Sequence, residues 1–181
     1  MTNIPTERQN QDPSIRALRL DDLDSCLALS TEAGWNQNKN DWRLLLQVCS
    51  GYGIDVPGYG LAGTTMAWEL GERNAWINMV LVAKAYRGRG FARELMAACL
   101  GDLASAQRLA MLDATDLGFN VYSKFGFSGK NRIARLYRES ETESSAPISS
   151  SADGLLLKAM RAEDIDQVAN LDLRVIGIDR E

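Results

Sequence analysis

The residues best placed to do chemistry stand together in Tyr86-Arg87-Gly88-Arg89-Gly90-Phe91-Ala92. Two arginines supply fixed positive charge, and two glycines let a backbone approach a ligand without Cβ interference. The segment before them, Trp76-Ile77-Asn78-Met79-Val80-Leu81-Val82, is rich in β-branched and aromatic residues and predicts a strand. After them Phe91, Ala92, Leu95, Met96, Cys99, Leu100 and Leu103 recur at helical spacing, which predicts a helix with one apolar face. A strand, a glycine turn and a helix in that order put free first-turn amides and the positive end of the helix dipole beside the arginines. That combination attracts an anion, above all a phosphate. The plain alternative is a glycine turn feeding a core-packed helix. Neither nucleotide motif fits: Gly-x-x-x-x-Gly-Lys-Ser/Thr is absent, and the third glycine of Gly-x-Gly-x-x-Gly falls at Arg93.

Composition narrows the chemistry further. The 181 residues contain no histidine, so Ser-His-Asp and Cys-His mechanisms and His-ligated zinc are excluded within the chain. Proton transfers must rest on Asp, Glu, Tyr, Lys, Cys, water or substrate. Apolar residues make up 45% and charged residues 24%, as in an ordinary soluble globular protein. The net charge of -4, with Lys and Arg scattered, argues against nucleic acid as a partner. No apolar run reaches membrane-spanning length, and the polar Met1–Asp12 stretch lacks a signal-peptide core, so a cytoplasmic protein is expected. Cys26, Cys49 and Cys99 are unclustered among Leu and Ala and read as buried thiols.

The elements around the loop follow from pattern. Residues 1–14 read as a disordered leader, and Ile15–Leu20 as a first strand. Asp21 and Asp22 open a helix over Leu23, Cys26, Leu27 and Ser30, ending near Gly34. Trp35 and Asn36 follow in a loop, where Trp35 either touches a substrate or plugs a core edge. Asn40 or Asp41 is expected to cap a second helix through Cys49. Gly51, Gly53, Pro57, Gly58 and Gly60 suggest a turn-rich stretch with one short strand near Ile54-Asp55-Val56. Leu61–Leu70 and the Trp76 strand form a hairpin about Gly71–Asn74. Leu109–Ala114 predicts a strand buried on both faces and parallel to the Trp76 strand after the helical crossover. Such a parallel pair can splay and open a cleft. Asp116 is expected to cap a short helix ended by Gly126, and Asn131–Arg138 to supply a final strand.

Two motifs at this separation resemble those of the GNAT acetyltransferases. Arg87, Gly90 and Ala92 match the pyrophosphate loop Arg/Gln-x-x-Gly-x-Gly/Ala. Val121-Tyr122 and Gly126-Phe127 keep the register of the family's Asn-x-x-Ala-x-x-Leu-Tyr-x-x-x-Gly-Phe segment, with Thr115 in place of its Asn and Gly118 in place of its Ala. The resemblance runs from Ile15 to Arg138. It implies an α/β (mixed) fold: a central, mostly antiparallel sheet, one splayed parallel strand pair, and helices on both faces. It implies acetyl transfer from acetyl-CoA to an amine by direct attack, with no metal. The cradle would be Arg87, Gly88, Arg89, Gly90, Phe91 and Ala92, with the main chain of Leu81 and Val82 holding the pantetheine. Tyr122 would be the general acid, because a phenol of pKa about 10 is protonated at neutral pH.

Three carboxylates are candidates for the base that relieves the attacking amine of its proton: Glu69, Asp113 and Glu32. For each, a cap or surface charge is the alternative. The acceptor, a small-molecule or peptide amine, is not legible. A cleft flanked by Trp35, Trp68 and Trp76 would suit an apolar or aromatic one. A non-catalytic acetyl-CoA-binding or regulatory domain is the alternative reading of the same residues.

Residues 139–153 are polar and serine-rich and read as a linker. Beyond it, Leu157-Lys158-Ala159-Met160-Arg161-Ala162-Glu163-Asp164-Ile165-Asp166 repeats Ile15–Asp24 at a constant offset of 142. Residues 154–181 are therefore expected to open a second, incomplete domain of the same kind, whose alternative is a C-terminal helix docking on the first. Partnership with that second domain or with a second copy follows as an expectation.

Overall fold

A computed structural model describes residues 12–134, 151–152, 155–156 and 158–177. Strands β1 (Ser14–Ala17), β2 (Ser50–Val56), β3 (Gly60–Leu70), β4 (Asn74–Val82) and β5 (Leu109–Leu112) form one sheet in that order. The first three junctions are antiparallel, and β4 and β5 run parallel. Helices α1 (Leu23–Glu32) and α2 (Lys39–Val48) precede β2. Helix α3 (Phe91–Ser105) makes the crossover, α4 (Asp116–Tyr122) follows β5, and α5 (Ile165–Ile176) stands in the repeat. Ser151–Ala152 and Leu155–Leu156 pair as the short strands β6 and β7.

Strand alternation distributes the core over two faces. Met66 and Leu81 join Cys26, Leu29 and Trp42 under α1 and α2. Ala67, Ala75 and Ile77 face the other way, against Met96, Cys99 and Leu103 of α3. The fully buried Trp42 donates its indole N–H to Ser30 Oγ at 2.9 Å, so its burial leaves no orphaned donor. No helix among the described residues is long and apolar enough to cross a membrane.

Several local expectations are corrected. The β2 strand runs through Gly51 and Gly53, which do not mark turns. A Cβ on Gly53 would stand 2.5 Å from Leu61 Cδ1 and 2.9 Å from Leu18 Cδ2, and one on Gly51 would stand 2.7 Å from the Thr65 carbonyl. These glycines are there for close packing. Ser14 belongs to β1, which stops at Ala17; Asp22 Oδ2 then accepts from the Arg19 amide at 2.7 Å and turns the chain through a 3-10 turn, Leu20–Asp22. Asn38 caps α2, accepting from Asn40 N at 2.7 Å while Asp41 accepts from Asn38 N at 2.8 Å. Thr115, not Asp116, caps α4. β5 is an edge strand with Leu109 65% exposed, so it is not buried on both faces. Residues 131–134 form no strand, and 135–138 lie outside the described residues. Residues 1–11 of the expected leader and 139–150 of the linker also lie outside them.

Candidate active site

The site begins where β4 and β5 part. Their pairing runs from Asn74↔Leu109 to Ile77↔Leu112 and stops, while β4 continues to Val82 along β3. On the β3 side the register jumps from Thr64↔Leu81 to Met66↔Asn78, so Met79 and Val80 both oppose Thr65. That is a β-bulge. Met79 sits at φ 49, and its carbonyl is pinned by Thr64 Oγ1 at 2.7 Å. Ala83 N donates to Ala62 O at 2.9 Å, so Ala83 and Leu81 direct their main chain toward β3. By alternation the N–H and C=O of Val82 and Val80 turn to the parted edge. Val82 O there accepts from Arg87 Nε at 3.0 Å. Of the two expected main-chain contacts, Val82 faces the cleft and Leu81 does not.

The glycine loop closes that end. Gly88 (φ +76) and Gly90 (φ +89) both take left-handed backbone, and a Cβ on Gly88 would meet nothing within 4 Å. The loop therefore presents open backbone. No backbone acceptor is bonded to the N–H groups of Gly88, Arg89, Gly90, Phe91 or Ala92, because the α3 ladder starts with Arg93 N and Glu94 N on Gly90 O. Gly90 caps α3 without a side chain. The Arg89 guanidinium lies over the Tyr86 ring, 4.9 Å from its centroid. Tyr86 in turn stacks on Phe91 at 5.8 Å and meets Tyr59 edge-on at 4.7 Å. Phe91 is buried, so only its amide is available to a ligand. Arg93 brings a further guanidinium to within 4.0 Å of a Cβ at Gly90.

The expected proton-transfer residues are spread over both faces. Tyr122 packs on the α3 face against the cluster holding Ala75, Ile77 and Met96, with Phe127 edge-on at 6.3 Å. Burial raises its phenol above the ordinary value, so it stays protonated at neutral pH. Asp113 is exposed and is the first residue after β5, at the mouth of the cleft. Glu69 is half-exposed and ion-paired to Arg108 at 2.6 Å, on the strand position facing Ala75, away from the parting. Glu32 accepts from the Lys84 amide at 2.8 Å and so fastens α1 to the turn after β4. Trp35 packs against the buried cluster on the α1/α2 face, and Asn36 after it is exposed. The sheet thus separates Trp35 from Tyr122. All three cysteines are free, and burial raises the Cys26 thiol to about 12 and the Cys49 and Cys99 thiols to about 11.

The sequence profile of the Acetyltransferase (GNAT) family matches residues 20–127, the span that holds this helix start and the parted strand pair. The chain belongs to that family. Its class of reaction is acetyl transfer, and it is an acyltransferase. No curated protein matches this sequence. Solved structures match its fold. A Staphylococcus aureus protein described as a probable acetyltransferase aligns at TM-score 0.59 and 16% identity, over 70% of this chain and 99% of that one. Glucosamine-6-phosphate N-acetyltransferase from Arabidopsis thaliana aligns at TM-score 0.59 and 16% identity, over 71% and 99%. A predicted acetyltransferase from Clostridium acetobutylicum, solved with acetyl-CoA, aligns at TM-score 0.58 and 14% identity, over 70% and 96%.

Four features of this GNAT site escaped sequence reading: the Met79 bulge, the outward-facing Val80, the Tyr59–Tyr86–Phe91 stack and Arg93. The bulge left no signal, since a non-glycine residue there looks like any strand residue. Arg93 had a signal that went unused: it stands four residues after Arg89, on the first turn of the expected helix.

Proposed function

We propose that the chain transfers the acetyl group of acetyl-CoA to a primary amine by direct attack. The observation that carries this is the run of unbonded amides from Gly88 to Ala92 at the start of α3, opening onto the parted β4/β5 pair. Those amides, with Arg87, Arg89 and Arg93, suit a pyrophosphate. The main chain of Val82 and Val80 suits the pantetheine arm as an added strand edge.

The amine nitrogen attacks the thioester carbonyl carbon, and the tetrahedral intermediate expels the thiolate. Tyr122 donates its phenolic proton to the sulfur as the carbon–sulfur bond breaks. The nitrogen loses its extra proton through water to Asp113, which is exposed at the cleft mouth. The products are the acetamide and the free thiol, and solvent exchange returns both side chains to their starting states. Glu69 is set aside as base, because Arg108 holds it away from the parting. Trp35 and Asn36 are retained as acceptor-side residues.

Residues 154–181 are read as the opening of a second domain of this family. The support is the return of a 3-10 turn at Ala162–Asp164 followed at once by α5, as Leu20–Asp22 is followed by α1.

Calorimetric titration of acetyl-CoA into the full chain tests the cradle. Arg87→Ala/Arg89→Ala is expected to weaken binding at least roughly tenfold, equivalent to ~1.4 kcal/mol. A folded wild-type protein that binds no acetyl-CoA would overturn the reading.

A further inference from the structure

We propose that Tyr86 is a positioning residue for Arg89: its ring holds the guanidinium beside the amide cradle before any anion arrives. This rests on the reading of the loop as the seat of the acetyl-CoA pyrophosphate. Arg89 stands at a position that the family's loop motif, Arg/Gln-x-x-Gly-x-Gly/Ala, leaves open, so its charge is this chain's own addition. The guanidinium carbon lies over the Tyr86 ring, 4.9 Å from its centroid. That is within reach of the ring's negative face.

No other described residue fixes the arginine. It is exposed and stands between Gly88 (φ +76) and Gly90 (φ +89), which offer its long side chain no neighbouring Cβ. Among the described residues its guanidinium makes no hydrogen bond and no ion pair. Contact with a ring face suits the task, because it uses the plane of the guanidinium and leaves the N–H donors at its rim free for phosphate oxygens. Arg87, by contrast, spends its Nε on the Val82 carbonyl at 3.0 Å.

The ring is itself held from several sides. Tyr86 is half-buried, and its amide donates to Ala83 O at 2.9 Å to close the 3-10 turn Lys84–Tyr86. Phe91, buried on the first turn of α3, stacks on it with centroids 5.8 Å apart. Tyr59 meets it edge-on at 4.7 Å, from the turn between β2 and β3 where Gly58 and Gly60 flank it in left-handed backbone. Helix α3 and the β2–β3 turn therefore fix the ring, and the ring fixes the arginine. A charge set in place beforehand loses less side-chain freedom when the anion binds, and that difference appears as affinity.

The test uses the full chain and acetyl-CoA. In the nuclear magnetic resonance spectrum of the wild type, the Arg89 Nε–Hε signal, assigned by its loss in Arg89→Ala, is expected upfield of a free arginine, as for a group over a ring face. Tyr86→Phe is expected to keep that shift and Tyr86→Leu to lose it. By calorimetry, Tyr86→Leu is expected to weaken acetyl-CoA binding roughly 3- to 10-fold. Tyr86→Phe is expected to stay within about twofold of the wild type, since a phenyl face also takes a cation. In an Arg89→Ala background Tyr86→Leu is expected to add no further loss.

An unshifted Arg89 signal in the wild type would overturn the proposal, with no variant needed. So would acetyl-CoA binding unchanged in Tyr86→Leu, or a loss from Tyr86→Leu just as large in the Arg89→Ala background, which would assign the ring to the fold alone. Those outcomes strike the inference and leave the acetyl-transfer reading standing. A folded wild-type chain that binds no acetyl-CoA overturns that reading, and this inference with it.

Discussion

The chain builds the same local unit twice and buries only one copy. In residues 16–32, Arg16 pairs with Asp22 at 2.8 Å, Asp22 accepts from the Arg19 amide at 2.7 Å, and a 3-10 turn leads into α1. In residues 158–176, Lys158 pairs with Asp164 at 3.4 Å, Asp164 accepts from the Arg161 amide at 2.9 Å, and a 3-10 turn leads into α5. The turn and the helix are therefore encoded locally. Burial is not. Cys26 and Leu29 are 0% and 5% exposed under α2 and the sheet, whereas Val168 and Leu171, at the matching positions, are 47% and 52% exposed. An apolar helix face is a property of sequence, and a core needs a second surface.

The largest expected contrast lies at the paired leucines. Leu29→Ala is expected to cost about 2–5 kcal/mol, through lost burial plus a cavity. Leu171→Ala is expected to stay within about 0.5 kcal/mol, as at an exposed site. Urea midpoints of the two variants measure this directly, and equal costs would break the comparison.

The ion pairs give a smaller contrast. Arg16 also bonds Asp55, so Arg16→Ala leaves two part-buried carboxylates short of a donor. Its side chain is 33% exposed, which puts the expected cost near the lower end of about 1–3 kcal/mol. Lys158→Ala, at a 65% exposed position, is expected to fall below that, and a cost as large would show that the second unit is packed.

The smallest contrast is in acid. Hydrogen bonding from Arg16 holds the Asp22 carboxyl below its ordinary value. The native state therefore binds that proton less readily than the unfolded chain. The resulting stability is present above about pH 4, the ordinary aspartate range, and is lost as pH falls through the lowered native value. Asp22→Asn is expected to flatten the acid limb of a pH–stability curve. An acid limb left unchanged by Asp22→Asn would show that the Arg16 pairing adds nothing to the first unit.

The β3 hairpin, β4 and α3 were legible because each shows its own period, two for the strands and 3.6 for Phe91–Leu103. The loop was legible because glycine and arginine cluster there. Caps were misplaced by one to three residues (Asn38 for Asn40 or Asp41, Thr115 for Asp116), since several polar residues compete at each helix start. Gly51 and Gly53 misled because glycine marks close packing as well as turns, and the neighbours they admit, Leu18, Leu61 and Thr65, are distant in sequence or on another strand.

Sequence alone determined the alternation of strands, the helical faces, the repeated turn-and-helix unit and the anion-seeking character of the Gly88–Gly90 loop. All of these rest on interactions within a few residues. Only the tertiary structure decided that Val82 rather than Leu81 faces the cleft, that Arg108 engages Glu69, that Tyr122 lies on Gly118, and that α1 is covered while α5 is not. Each depends on strand register, rotamer or packing against chain far away, and on which surface arrives to exclude the water.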